Sequence, residues 1–256
     1  MSKEIRFACV KVCSSLCCGG ATILTIKEIT TFYKNFPITI GFRKIYPVDS
    51  FHKSYIDGFT IKYENFYIIG DFIGGNRLKK RCHYLKETVC SIHNTKPLQC
   101  SIIPFSVTFP EEYQNLVISE RRKKAFHLCK GFTEDAPVVW NKVFIDKTLK
   151  EIFYTQRQNM IFQKEFMEKA FCILKDTPLF KRFIISTSGI IEIPILPELL
   201  EEFFLLASIN NQKEFIESQK RLFVKELTVG GLKNSLFVDA LEMINKAKYL
   251  TEFRKS

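Results

Sequence analysis

Nine cysteines are distributed very unevenly along this chain. Cys9, Cys13, Cys17 and Cys18 fall within ten positions near the N-terminus, Cys82, Cys90, Cys100 and Cys129 follow, and Cys172 stands apart. Thiols at such density can form disulfides, act as nucleophiles, bind metal, or simply fill space as small hydrophobes. Disulfides fit poorly. A bridge between Cys17 and Cys18 departs far from normal geometry, and a run spaced by four needs all its partners from one distant segment. A reducing compartment disfavours disulfides as well. Metal ligation meets none of these obstacles, because one ion gathers three or four thiolates from several segments.

The spacing constrains such a site. On a straight helix Cys9 and Cys17 lie about 12 Å apart along the axis, whereas sulfurs bound to one zinc at about 2.3 Å lie within roughly 4 Å of each other. The segment is therefore an irregular loop, or its cysteines serve more than one centre. Gly19 and Gly20 let the backbone turn tightly beside the pair. Eight sulfurs permit two four-cysteine sites, or one cluster plus a second ion. Thiolates select zinc, iron–sulfur clusters or copper(I) over magnesium and calcium. Zinc sites commonly use paired Cys-x-x-Cys knuckles, which this sequence lacks. The later ligands are separated by 7, 9 and 28 residues, as if each came from a different loop. Iron–sulfur clusters tolerate scattered ligands, so an iron–sulfur centre of the 4Fe–4S type is favoured, with zinc as the alternative. His83 and His93 flank the second group in supporting rather than ligating roles. Lys96 and Arg81 could donate hydrogen bonds to sulfur, with solvated surface as the plain alternative for Arg81, and Pro97 and Pro104 fix chain direction around Cys100. Cys172, in "MEKAFCILKD", reads as a buried, inert thiol on the apolar face of a helix.

The stretch "RCHYLKETVCSIHNTKPLQCSIIPF", Arg81 to Phe105, together with the N-terminal run, resembles the YkgJ-type cysteine-cluster family of zinc- or iron-chelating proteins. The resemblance is carried by Phe7, Cys9, Cys13, Cys17 and Cys18, then Cys82, Leu85, Cys90, Ile92, His93, Lys96, Pro97, Cys100, Pro104 and Phe105, then Cys129 and Gly131. It spans about half the chain. One departure is local: the family run usually has two residues between its first cysteines, and this chain has three. The resemblance implies metal ligation by all eight of these cysteines. It extends to the flagellin lysine methylases, which are associated with an iron–sulfur centre. Protein lysine methylation, with S-adenosylmethionine as methyl donor and a protein as substrate, is thus an activity implied by resemblance alone. The residues themselves show no glycine-rich strand–turn–helix for a nucleotide; "GDFIGGNR" has neither the order nor the context. Nor do they show the short cysteine triplet of radical enzymes.

The elements that must position these thiols read as an α+β arrangement. "LTIKEITTFYKNF" starts a helix at Thr25, with Glu28 at capping-box spacing. "GFTIKYENFYIIGDFIGG" alternates as a β-hairpin turning at Glu64-Asn65. The later ligands lie in loops, and "PEEYQNLVISERRKKAFHLC" is a helix that delivers Cys129 at its end. Residues 1–132 thus form a small α+β cysteine-cluster module gathered by metal. Residues 133–256 read as mainly helical, with "APVVWNKVFIDKTLKEIFYTQRQ", "LPELLEEFFLLASI", "NNQKEFIESQKRLFVKEL" and "LKNSLFVDALEMINKAKYLTEF" as helices. "RFIISTSGIIEIPIL" reads as a strand pair turning at Ser188-Gly189. These amphipathic helices read as core packing. No histidine follows His127, which removes the commonest general base from that half.

Composition narrows the class. The chain has 256 residues, 46% of them hydrophobic, enough for one large domain or two small ones, and its 25 phenylalanines predict aromatic cores. No run approaches the roughly 20 apolar residues of a membrane span, and the N-terminus lacks a signal-peptide apolar core. These features point to a cytoplasmic protein with no membrane partner. Residues 1–130 carry 20 Lys and Arg against 10 Asp and Glu, so the basic excess accompanies the cysteines. Part of it balances thiolate charge, and nucleic acid is disfavoured because no aromatic-rich RNA-binding signature accompanies the runs Arg77–Arg81 and Arg121–Lys124. A basic adaptor for acidic partners remains the third reading, after a metal centre in a protein-modifying enzyme and a non-catalytic metal module.

Overall fold

A computed structural model describes residues 4–10, 17–19, 21–75, 81–124, 126–185 and 190–230, with the side chains of the last helix through Lys225. The chain is of the α+β class, mixing helices with antiparallel strands. It divides into two compact units, each assembled from separate stretches. One comprises Met1–Thr22, Pro47–Phe59 and Arg77–Ile161; the other comprises Ile23–Tyr46, Thr60–Asn76 and Phe162–Ser256. The hydrophobic pattern had placed one boundary near residue 132. Interleaved units leave no such mark, because crossings fall inside single elements, between Thr22 and Ile23 in the strand Ala21–Leu24 and between Ile161 and Phe162 in the helix Lys147–Phe162. Among the described residues no helix is long and apolar enough to cross a membrane.

The second unit is built on a sheet in the order Ile190–Pro194, Ile38–Ile45, Phe66–Gly75, Ala21–Leu24, the last strand belonging to it from Ile23, with Ile61–Tyr63 also paired to Phe66–Gly75. Tyr63 pairs with Phe66 across the turn at Glu64-Asn65, where Glu64 has φ 49°, so the hairpin forms where the alternation predicts it. All ten residues of Phe66–Gly75 are buried, which explains their nearly continuous apolar run. On one face the helix Lys164–Leu174 lies against Gly70. A Cβ there would stand 2.8 Å from the Met167 side chain, and Gln163 Nε2 donates to the Gly70 carbonyl at 3.0 Å. Phe42, Phe72, Phe166, Phe171 and Phe203 make the aromatic core. Asp71, 2% exposed, is ion-paired to Arg43, as a buried charge requires. The helix Ile26–Phe32 starts at Thr25 with the expected reciprocal cap: Glu28 N–H to Thr25 Oγ1 and Thr25 N–H to Glu28 Oε2.

The first unit joins Ile5–Arg6, Val138–Asn141 and Val143–Phe144 in a small sheet, beside the helices Ser50–Asp57, Gln114–Lys123 and Lys147–Phe162, the last belonging to it through Ile161. Its core runs through Phe7, Phe105, Phe144 and Phe153, each ring edge-on or tilted against the next. Two buried polar side chains brace it. Gln114 accepts from Ser106 N–H and donates to the Ser106, Phe109 and Pro110 carbonyls. His52 accepts from Val48 N–H at Nδ1 and, in the tautomer with hydrogen on Nε2, donates to the Thr108 carbonyl.

Three expectations change. "PVVWNKVF" is a strand pair rather than the start of a helix, because its β-branched and aromatic residues suit a pleated surface and Lys142, at φ 64°, supplies the turn. The helix begins only at Lys147, after Asp146 Oδ1 has accepted from Leu149 N–H. Arg182–Ile185 ends a helix, Pro178–Ile185, while Ile190–Pro194 pairs with Ile38–Ile45; the expected turn at Ser188-Gly189 lies outside the described residues. The Gln114–Lys123 helix stops before Cys129, its last turn holding Arg121, which donates to the Pro104 and Phe105 carbonyls. The helix expected over residues 232–253 lies outside the described residues.

Candidate metal centre

The four segments that carry the candidate ligands all belong to the first unit. Backbone pairing brings them together. Phe7 N–H bonds to the Pro137 carbonyl and Ala8 N–H to that of Gly131, which runs the chain at Cys9 alongside the chain that follows Cys129. Gly131 is required there: a Cβ would stand 2.5 Å from the Phe7 ring and 2.7 Å from the Ala8 carbonyl oxygen. Farther along, Cys82 N–H donates to the Cys18 carbonyl at 2.9 Å, tying the N-terminal run to the second cysteine group. Cys82 precedes the two-stranded ladder of Leu85–Lys86 with Val89–Cys90, in which Leu85 faces Cys90. Cys100 lies in the helix Leu98–Ile102, which starts directly after Pro97. So Cys9, Cys17, Cys18, Cys82 and Cys129 occupy irregular backbone, while Cys90 and Cys100 sit on short elements. Cys13 lies outside the described residues.

The thiols feel one another. A hydrogen bond from Cys18 holds the Cys17 thiol down at about 6 against the opposing effect of burial, and the Lys96 charge adds to the lowering. The same bond, with burial and the charges at Cys82 and Cys100, pushes Cys18 up. Burial pushes Cys100 up to about 12, with charge at Cys82 and Cys17 adding to it and a hydrogen bond with Thr22 opposing it. Burial raises Cys82 too, against backbone N–H groups of Tyr84 and Leu85 that point at its sulfur. Cys17, Cys18, Cys82 and Cys100, from three separate stretches, therefore share one neighbourhood, and Cys90 adjoins it through Cys82.

Groups around the sulfurs fit a thiolate site. Thr22 Oγ1 lies 3.3 Å from Cys100 Sγ, and Lys96 Nζ donates to Cys9 Sγ at 3.5 Å. Hydrogen bonds to sulfur stabilise the ionised form that a metal needs. Sequence reasoning marked Lys96 but missed Thr22, since a lone strand threonine carries no signal for such a role. His83 packs edge-on against Tyr84 and Arg81 is exposed. The run Arg121–Lys124 has structural employment: besides Arg121, Arg122 stands over the Phe132 ring and Lys123 pairs with Glu120.

Cys172 is exposed, which corrects its expected burial. On the helix Lys164–Leu174 the buried positions are Phe166, Met167, Ala170, Phe171 and Leu174. Cys172 falls one residue, about 100° of helical turn, past Phe171. It belongs to the other unit, apart from the eight.

Among the described residues, no three His, Cys, Asp and Glu side chains are arranged so as to hold one metal ion. The described thiols thus share a neighbourhood without standing in a coordination shell. Comparison of the chain with family models, with curated proteins and with solved structures finds no match.

Proposed function

We propose that this protein binds a soft metal through its clustered cysteines, as a member of the YkgJ-type family that its motifs resemble. The observation that carries the reading is the main-chain bond from Cys82 N–H to the Cys18 carbonyl, which ties the N-terminal cysteine run to the second cysteine group. Cys9, Cys13, Cys17, Cys18, Cys82, Cys90, Cys100 and Cys129 would then supply the ligands of one or two centres. Thiols accompanied by N–H, O–H and ammonium donors are the chemistry of zinc and iron–sulfur sites. An iron–sulfur centre is the first choice, on the scattered spacing of the later ligands. Such a centre supplies a redox-active group and a cross-link between the stretches that ligate it. This chain's own residues orient the sulfurs: the Cys82–Cys18 backbone bond sets the two groups in register, and the N–H groups of Tyr84 and Leu85 direct the Cys82 lone pairs.

Anaerobic purification, followed by an absorption spectrum and by metal and acid-labile sulfide analysis, tests the reading. Iron and sulfide in near-equal amounts, with broad visible absorption, are expected. Zinc without sulfide would replace the cluster by a structural zinc centre, and absence of both would end the metal reading. Cys100→Ala should lose metal and Cys172→Ala keep it; equal behaviour would refute the division of the cysteines. Protein methylation remains an implication of the family resemblance, tested by mass spectrometry of lysine methylation in a strain lacking the protein.

A further inference from the structure

Two successive residues of the helix Lys147–Phe162, both in the first unit, carry buried polar atoms that the fold leaves unsatisfied. Gln156 is 4% exposed and its Oε1 accepts no hydrogen bond; Arg157 is half-buried and its Nε donates none. Such atoms are rare in folded proteins and call for a physical reason. The other buried glutamines among the described residues, Gln114, Gln163 and Gln219, all hold main-chain groups. Arg157 is nonetheless fixed in place. Its guanidinium lies 4.7 Å over the Tyr55 ring, whose hydroxyl donates to the Val107 carbonyl at 2.9 Å. Stacking on a ring leaves the N–H edge of a guanidinium available to an anion. Three residues earlier on the helix, Tyr154 donates to Glu111 Oε2 at 2.9 Å, and the other Glu111 oxygen accepts from Phe144 N–H. That carboxylate is engaged by neutral donors and makes no ion pair with Arg157. Glu112, next in the chain, is exposed. Burial raises the Tyr55 and Tyr154 hydroxyls; at each, the Arg157 charge opposes the rise and the charges of Glu111 and Glu112 add to it. A cation and carboxylates thus border the same two phenols without pairing with one another.

We infer that Arg157, Gln156 and Glu112 form a binding site for a small dipolar ligand of the amino-acid class, whose carboxylate sits on the Arg157 guanidinium and whose ammonium donates to Gln156 Oε1 in the field of Glu112. The chemistry of the neighbours selects a ligand with both charges. A dianion such as phosphate is repelled by Glu111 and Glu112, and a simple cation is repelled by Arg157. A carboxylate matches the planar guanidinium fork, and an ammonium supplies the donor that the Gln156 carbonyl oxygen lacks. The site uses none of the eight clustered cysteines, so it stands or falls independently of the metal reading.

The test compares wild type, R157Q, R157K and Q156L as full-length, nitrogen-15-labelled proteins, each first shown to fold by circular dichroism. The common amino acids are added singly, with acetate, methylammonium and inorganic phosphate as the separate halves and the rival anion, all at constant ionic strength. Binding is read from the backbone amide resonances and, in wild type and Q156L, from the Arg157 Nε–H resonance. At least one amino acid should shift these resonances saturably, and acetate, methylammonium and phosphate should bind more weakly. Losing a charge-assisted hydrogen bond weakens binding about 10- to 100-fold, so R157Q should show that loss. R157K, which keeps the charge without the fork, should fall between R157Q and wild type. Q156L should reduce the amino acid toward the affinity of acetate. Wild type that responds saturably to no amino acid overturns the inference, as does R157Q that binds like wild type. Acetate or phosphate binding as tightly as the best amino acid overturns the dipolar assignment. Where R157Q does not fold, R157K and Q156L decide, and wild-type affinity in both overturns the site.

Discussion

Replacing Gly131 by alanine puts the close approach of the two cysteine-bearing segments to a direct test. The new Cβ would lie 2.5 Å from the Phe7 ring and 2.7 Å from the Ala8 carbonyl oxygen. Neither neighbour can withdraw easily. Phe7 is 6% exposed and packed against Phe105 and Phe132. The Ala8 backbone is tied to Gly131 itself by the Ala8 N–H to Gly131 carbonyl bond of 2.9 Å. One methyl forced into a filled site costs about 1–3 kcal/mol, and breaking or bending that hydrogen bond adds about 1 kcal/mol. The expected loss is therefore about 2–4 kcal/mol, or roughly 5–15 °C in melting temperature for a chain of this size. Gly58→Ala is the matched control. Gly58 caps the helix Ser50–Asp57 with φ −66° and ψ −21°, and a Cβ there meets nothing within 4 Å. That substitution should stabilise by about 0.4–1 kcal/mol, by restricting the unfolded chain. Urea denaturation followed by circular dichroism reads both. G131A unfolding at the wild-type midpoint would refute the packing of Phe7 and Ala8 against residue 131. It would also remove the physical reason for a glycine two residues after Cys129.

Three further outcomes are expected. Gln114→Leu leaves the Ser106 N–H and the carbonyls of Ser106, Phe109 and Pro110 without the partner they share. It should cost about 3–5 kcal/mol in urea denaturation, and a loss below about 1 kcal/mol would show that the loop does not depend on that amide. Asp49 accepts from His52 N–H at the start of Ser50–Asp57 and from the Tyr113 hydroxyl, and these bonds hold its carboxyl below the usual range. Its stabilisation is therefore present above the ordinary carboxylate value near pH 4 and lost as pH falls through the lowered one. Asp49→Asn keeps a capping oxygen but not the charge, so wild type should lose stability relative to D49N below about pH 4. A constant difference between pH 2 and 6 would contradict this. Finally, native protein should take up one maleimide at Cys172, as its exposure requires, whereas resistance there until unfolding would restore the buried reading.

The parts of the fold legible beforehand are those decided within a few residues. Thr25 and Glu28 cap each other because their side chains reach neighbouring N–H groups. Glu64-Asn65 turns because Tyr63 and Phe66 on either side alternate into one ladder. Where a short apolar run suits helix and strand alike, local pattern fails. "RFII" and "IIEIP" look equivalent, yet the first closes a helix and the second pairs with Ile38–Ile45, some 150 residues earlier in the chain. The choice is made by a partner that no local window contains.

The candidate site divides along the same line. Cysteine is a rare residue with specific chemistry, so number and spacing identify candidate ligands directly. Lys96 was visible because it belongs to a spaced motif, and Thr22 was not. Which thiols become neighbours is decided by main-chain bonds, such as Cys82 N–H to the Cys18 carbonyl and Ala8 N–H to that of Gly131. Every residue can accept such bonds and every one except proline can donate them, so they leave almost no trace in residue type. The exception is glycine, where close approach of two backbones excludes a Cβ. Gly131 is such a trace, lying two residues after Cys129 and pressed against Phe7 and Ala8. It is therefore the residue of the resembling motif that reports most directly how the chain at Cys9 and the chain at Cys129 come together.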